Sequence, residues 1–345
     1  EASPAAYTPD LAMSLNNLAS FLSAVGERNG ALEAAREAVE LYRALAEDSS
    51  TAYTPRLAMS LNNLANILSE VGEQDDALVA AREAVELYRG LAEASPAAYT
   101  PDLAMSLNNL ANRFSAVGKR IEALEAAREA VRLRRALAEA SPQAYAPDLA
   151  ASFNNLANSL SEVGKVNEAL VAASEAVDLY RGLAEASPQA YTPNLAMALT
   201  NLAAFLSEVG ERNEALEAAR KAVELYRGLA EASPAAYTPD LAMSLNNLAS
   251  FLSAVGERNG ALEAAREAVE LYRALAEDSS TAYTPRLAMS LNNLANILSE
   301  VGEQDDALVA AREAVELYRG LAEASPAAYT PDLAMSLNNL ANRFS

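Results

Sequence analysis

The sequence predicts an all-α chain, an α-solenoid of stacked antiparallel helix pairs. Three observations predict it. The marker Tyr-(Thr/Ala)-Pro recurs at Tyr7, Tyr53, Tyr99, Tyr145, Tyr191, Tyr237, Tyr283 and Tyr329, each 46 residues after the last. Within each repeat, apolar residues fall at helical spacing twice, with a Gly between the two runs. No stretch shows the alternation of a half-buried strand. Units of such a period stack only on their neighbours and build an extended surface rather than a pocket. That geometry suits holding a partner better than transforming a substrate.

The repeats are read at 9–54, 55–100, 101–146, 147–192, 193–238, 239–284 and 285–330, with a partial one at 331–345, in one solenoid spanning 1–345. In the first, Thr8-Pro9-Asp10 reads as a helix start: a capping hydroxyl, a proline suited to the first helical position, and an acid facing the positive helix end. Leu11, Leu15, Leu18, Leu22 and Val25 then form one stripe, and Gly26 ends the helix as a left-handed cap. Asn29 reads as the cap of the second helix, a place held elsewhere by Asp75, Asn167 and Asn213. Ala31, Ala35, Ala38, Leu41, Tyr42 and Leu45 make its apolar face; Glu33, Arg36, Glu37, Glu40 and Arg43 make its wet face. Ser49 to Thr54 reads as the loop to the next repeat.

A second period lies above the first. Residues 231–345 repeat residues 1–115 without a change, at an offset of 230. Within the five repeats so spanned the copies differ: Ser20 becomes Asn66, Asn112, Asn158 and Ala204. Two readings stand, a recent duplication and a window placed on a longer periodic array. The window reading is favoured, because Glu1-Ala2-Ser3-Pro4 reads as the tail of a repeat and Ser345 is expected inside a helix.

Composition narrows the function. Half the residues are apolar (51%), dominated by Ala, which suits closely packed helices. A net charge of −21 opposes binding to nucleic acid and to anionic membrane surfaces. With no Cys and no His, disulfides, Cys/His zinc sites, thiol nucleophiles and His bases are excluded. No apolar run reaches the roughly 18 residues of a membrane span, and there is no Asn-x-Ser/Thr acceptor, so the expected location is the cytoplasm. There is no Gly-rich phosphate loop, and Asp75-Asp76 and Glu47-Asp48 are sequence neighbours that point apart on a helix. No enzymatic role, cofactor or metal is expected.

The pattern Leu15-x2-Leu18-Ala19-x2-Leu22, then Gly26, then Ala31-x3-Ala35, then Ala38 resembles a tetratricopeptide repeat lengthened by 12 residues. It departs at the aromatic positions, here Leu15, Leu22 and Ala35, and at the final proline, here Arg43. The Leu-Asn-Asn-Leu-Ala core is similar to that of kinesin light chain repeats and to arrays appended to signalling proteins with nucleotide-binding or caspase-like effector domains. The resemblance implies a right-handed superhelix with the first helix of each pair inside, and a protein or extended peptide held in the concave groove. The carboxylate clamp of chaperone-binding members needs Lys or Arg in that groove, where this chain has Asn, Ser or Ala.

Asparagine supplies the candidate site. Asn16-Asn17 recurs as Asn62-Asn63, Asn108-Asn109, Asn154-Asn155, Thr200-Asn201, Asn246-Asn247, Asn292-Asn293 and Asn338-Asn339. Asn66, Asn112, Asn158, Asn296 and Asn342 add a third row one turn on. Asn forms helices poorly, so its repetition there has a reason. One is structural, a buried amide fixing the register between repeats. The other is functional, a ladder that donates to and accepts from a bound peptide backbone. Met13, Asn16, Ser20 and Ser23 share a stripe off the Leu face, expected to be solvent-accessible; Asn17, nearer Leu18, suits either role. Tyr7 and its copies are expected to pin the loop, and Met13 and Met59 to be groove contacts or edge packing. In 101–146, seven bases oppose five acids, and Arg128, Arg132 and Arg135 share a stripe. They form either a basic island on the outer side or a set neutralised by Glu of adjacent repeats. The functional expectation is a binding scaffold within a larger signalling protein; the alternative is an array that self-associates end to end into a filament.

Overall fold

The computed structural model describes residues 7–342, so the expected helical setting of residue 345 lies outside the described residues. Helices account for nearly all of it. The first helices of successive repeats are α1 (Thr8–Ala24), α3 (Ser50–Glu70), α5 (Pro96–Ala116), α7 (Pro142–Glu162), α9 (Pro188–Glu208), α11 (Pro234–Ala254), α13 (Ser280–Val301) and α15 (Pro326–Ala341). The second helices are α2 (Arg28–Asp48), α4 (Gln74–Ala94), α6 (Arg120–Ala140), α8 (Val166–Ala186), α10 (Arg212–Ala232), α12 (Arg258–Asp278) and α14 (Gln304–Ala324).

The turn inside each pair is set by one glycine. Gly26, Gly72, Gly118, Gly164, Gly210, Gly256 and Gly302 have φ between 75° and 89°, a region that costs other residues strain. The next residue donates five residues back, as Glu73 N does to Leu68 O at 2.9 Å, closing the helix end. This turn is so short that the second helix starts at once. The helix then begins at Arg28, with Glu27 at the cap position and no side-chain cap, and Asn29 is already helical. The expected Asn29 cap is therefore corrected; Asp75 and Asp76 complement the helix end from inside the first turn of α4.

The link between pairs also differs from expectation. Only Ser49 leaves the helical path, at φ −147° and ψ 82°, and α3 resumes at Ser50. The Tyr-Thr-Pro segment expected as a loop lies inside the helix, with Pro55 and Pro101 as interior prolines. Each proline deprives one carbonyl of its partner, four residues back, at Thr51 or Ala97. Both lie on exposed first turns, where water can take that bond. The gain is burial: Tyr53 and Tyr99 pack half-buried against the core from this added turn. In repeats that open Ser-Pro, such as Ser95-Pro96, the first proline sits at the first helical position, where its missing N–H is harmless.

The structure divides into two compact units, 1–179 and 180–345. In the first, each helix from α1 to α7 packs on the next, and α1 also touches α3, α3 touches α5 and α5 touches α7. Leu57, Leu61, Leu64 and Leu68 of α3 are buried with Ala77, Ala81, Ala84, Val85 and Tyr88 of α4. Fully buried alanines let the backbones approach closely. The even-numbered helices are bridged by long side chains instead, as in Arg43–Glu83 at 2.8 Å and Arg89–Glu129 at 2.9 Å. These exposed pairs contribute about 0–1 kcal/mol each. In the second unit α9 to α15 pack in the same serial way, α11 also touches α13, and Arg227–Glu267 and Arg273–Glu313 repeat the bridge. Within each unit the odd-numbered row is the tighter, inner row. Glu33, Glu37 and Glu40 stay exposed on α2.

Candidate binding face

The solvent-facing stripe of the odd-numbered helices runs one residue away from the one expected. On α3 it is Arg56, Met59, Asn63, Asn66 and Glu70, spaced three and four apart. On α5 it passes through Asp102, Met105, Asn109 and Asn112; on α7 through Asp148, Asn155, Asn158 and Glu162. In the second unit it continues as Met197, Asn201 and Glu208 of α9, Met243, Asn247 and Ser250 of α11, and Met289, Asn293, Asn296 and Glu300 of α13. Apart from the half-buried Met243, these methionines are among the exposed large apolar residues, Met59 at 40% and Met289 at 43%. Asn17 is exposed; Asn63, Asn109, Asn155, Asn201, Asn247, Asn293 and Asn339 are half-buried.

The Asn16 row is not on this face. Asn16, Asn62, Asn108, Asn154, Asn246 and Asn292 are 2–7% exposed, which overturns the expectation of an accessible ladder through them. Asn338, on α15, is exposed. The reason is the neighbouring repeat. Five of these six carboxamides, all but Asn154, meet a serine 44 residues on: Ser60 Oγ donates to Asn16 Oδ1 at 3.0 Å, and Asn62 Nδ2 donates to Ser106 Oγ at 2.6 Å. Asn108 Nδ2 donates to Ser152 Oγ at 2.8 Å, Ser290 Oγ to Asn246 Oδ1 at 3.1 Å, and Ser336 Oγ to Asn292 Oδ1 at 3.0 Å. Asn63 and Asn293 reach back to the same acceptors, Asn16 Oδ1 and Asn246 Oδ1, at 3.1 Å. This is a buried polar rail that fixes how one repeat sits on the next.

The serines of the rail were missed from sequence, although Ser60, Ser106, Ser152, Ser244, Ser290 and Ser336 obey the 46-residue period. The fifth repeat is the informative one, because it has Ala198 for the serine and Thr200 for the asparagine. The Ser244 hydroxyl, 44 residues after Thr200, is buried without a partner. Thr200 turns its hydroxyl to Ala196 O at 3.0 Å.

Three carboxylates on the face are held by serines of the preceding repeat. Glu70 accepts from Ser23 Oγ at 2.6 Å, and Glu162 and Glu300 accept from Ser115 and Ser253. Burial pushes the Asp102 carboxyl above the usual range; at Asp240 burial does the same, opposed by Arg286. Among the described residues no cluster of acids is placed to hold a metal ion, and no helix is long and apolar enough to cross a membrane.

A family model for the tetratricopeptide repeat matches the sequence seven times, at 11–50, 57–94, 103–142, 149–186, 195–232, 241–280 and 287–324. The chain belongs to the tetratricopeptide repeat family. Its helix pairs are thus lengthened tetratricopeptide repeats, and the fold is the all-α solenoid of that family. Solved structures agree on the fold. BtubC (BKLC) from P. vanneervenii is 20% identical with a TM-score of 0.57, over 71% of this chain and 90% of that one. A Podosopora anserina protein assigned as a kinesin light chain, with nearly identical TPR-like repeats, is 20% identical with a TM-score of 0.51, over 65% and 98%. The apo form of RapI is 15% identical with a TM-score of 0.62, over 90% and 99%. Comparison with curated protein sequences finds no match.

Proposed function

We propose that this tetratricopeptide array is a protein-binding scaffold, the interaction region of a larger cytoplasmic signalling protein, that holds an extended polypeptide along the odd-numbered helices of each unit. The observation carrying this is the stripe of Met and two Asn rows repeated on successive helices. Asn63, Asn109 and Asn155, with Asn66, Asn112 and Asn158 beside them, offer donors and acceptors to a peptide backbone. Met59 and Met105 offer adaptable apolar contact. Glu70 and Glu162 make neutral or basic segments the better ligands. Each exchanged hydrogen bond contributes about 0.5–1.5 kcal/mol net, so affinity grows with the number of repeats engaged. The test is selection of displayed random peptides on the array, with rebinding to a variant carrying Met59→Glu, Met105→Glu and Asn112→Ala. Enriched neutral or basic sequences that lose affinity for the variant support the reading; unchanged affinity sinks it.

A second reading, end-to-end self-association, draws on the exact repetition of residues 1–115 as residues 231–345. Light scattering decides it: growth of mass with concentration supports a filament, and a constant monomer mass removes it.

A further inference from the structure

The outer side of the first unit carries a repeated cleft between consecutive even-numbered helices, floored by the odd-numbered helix between them. Between α2 and α4 its walls are Arg36 and Arg43 against Glu40, Asp76 and Glu83; between α4 and α6 they are Arg82 and Arg89 against Glu86, Glu122, Glu125 and Glu129. Acids match or outnumber bases in both. The cleft on α6 beyond them, about 400 Å³, is different. Arg128, Arg132 and Arg135 line it, the one acid among its lining residues is Glu139, and Phe153 and Leu156 make its floor.

The change rests on position 132, where this repeat has Arg and the others have Glu40, Glu86, Glu224, Glu270 and Glu316 or Asp178. Only one of the three guanidinium groups is neutralised from the next repeat: Arg128 pairs with Glu168 at 2.7 Å. Glu168 also bonds Lys165 at 2.8 Å, and that bond foremost holds its carboxyl below the usual range. Among the described residues Arg132 has no ion-pair partner. Arg135 stands where Arg43 and Arg89 reach across to Glu83 and Glu129, but it lies over the Phe153 ring at 5.4 Å and leaves Glu175 unbonded. An Arg held on an aromatic face keeps its N–H edge free for an incoming carboxylate. The neighbouring Arg134, by contrast, is structural: it fills the buried place of Tyr42 or Tyr88 and donates to Asp148 O and Ser152 Oγ at 2.7 and 2.9 Å.

We propose that this cleft is a second binding site, for an acidic peptide segment with an apolar side chain among its carboxylates. Charge complementarity selects the occupant. Arg128, Arg132 and Arg135 lie at helical positions i, i+4 and i+7, spanning about 10 Å along α6, a length covered by about three residues of extended peptide. The apolar side chain rests on Phe153 and Leu156. A short peptide is favoured over nucleic acid because the chain as a whole, at −21, repels a long polyanion far more than a few carboxylates. The site is on the side of the helices opposite the Asn stripe and is independent of it.

The probe is a fluorescein-labelled Glu-Asp-Phe-Asp-Glu peptide, titrated with the full chain and read by anisotropy, beside its Gln-Asn-Phe-Asn-Gln counterpart. The acidic probe is expected to bind, to weaken as salt rises, and to lose about tenfold or more in affinity in Arg132→Glu, the loss of a charge-assisted contact. That variant places the residue of the other repeats on an exposed position, so its circular dichroism stays unchanged. Arg132→Gln gives a smaller loss, and Met59→Glu on the opposite face gives none. No binding, equal binding of the neutral probe, equal affinity in Arg132→Glu, or tighter binding of a single-stranded oligonucleotide each overturns the proposal.

Discussion

Thr200→Asn is expected to stabilise the second unit, against the rule that most substitutions destabilise. Ser244 is 2% exposed, and its hydroxyl is buried with no partner. A buried group left unmade costs about 1–3 kcal/mol. In the intact rail the asparagine 44 residues earlier closes this bond, as Asn62 Nδ2 does to Ser106 Oγ at 2.6 Å. Asn at 200 restores it, and gives Asn247 the acceptor that Asn16 Oδ1 offers Asn63 at 3.1 Å. Against this stands the loss of the Thr200 bond to Ala196 O. Helix propensity is neutral, since Thr and Asn rank alike. The balance is about 1–2 kcal/mol in favour of Asn. A repeat array does not unfold in one all-or-none step, so the measure is local: amide exchange of α9 and α11. Their opening equilibria should fall by about five- to thirtyfold. In a Ser244→Ala background the orphan is already gone and the gain should vanish. Unchanged exchange, or an equal gain in that background, refutes the rail as the source of the energy.

Asn62→Ala should destabilise the first unit by about 1–3 kcal/mol by stranding the Ser106 hydroxyl, with chemical denaturation as the check; an effect within about 0.5 kcal/mol of zero counts against it. Gly118→Ala should cost about 1–2 kcal/mol because φ is +75°, although a Cβ there meets no atom within 4 Å; a neutral result in thermal melts would locate the requirement elsewhere. Asp102→Asn should stabilise at neutral pH, where the half-buried carboxylate is ionised against burial. A folded pKa above the unfolded one means stability falls as pH rises from the unfolded value through the folded one, so the advantage of Asn should fade below about pH 3.8. Melting both proteins from pH 3 to 7 tests this, and a pH-independent difference would sink it.

The sequence by itself determined the 46-residue period, the all-α class, the family and the Gly turn, because these depend on local rules: helical spacing of Leu57, Leu61, Leu64 and Leu68, and a backbone at Gly72 that only glycine takes freely. It also singled out the Asn pairs as meaningful. Which Asn faces the solvent was not legible. Asn62 and Asn63 differ by about 100° around one helix, and both fit beside the leucine stripe. The next repeat decides between them by setting Ser106 opposite Asn62 and leaving Asn63 at the rim. The helix start was misread for a related reason. Thr54-Pro55 carries a strong local start signal, but packing of Tyr53 on the core draws the helix back to Ser50, and the proline is tolerated on an exposed first turn. Arg134, Arg135 and Arg132 look alike in sequence, yet one is buried on Ser152, one lies on Phe153 and one is free. Tertiary packing alone separated them, since each role depends on what the adjacent helix presents rather than on the residue's own chain neighbours.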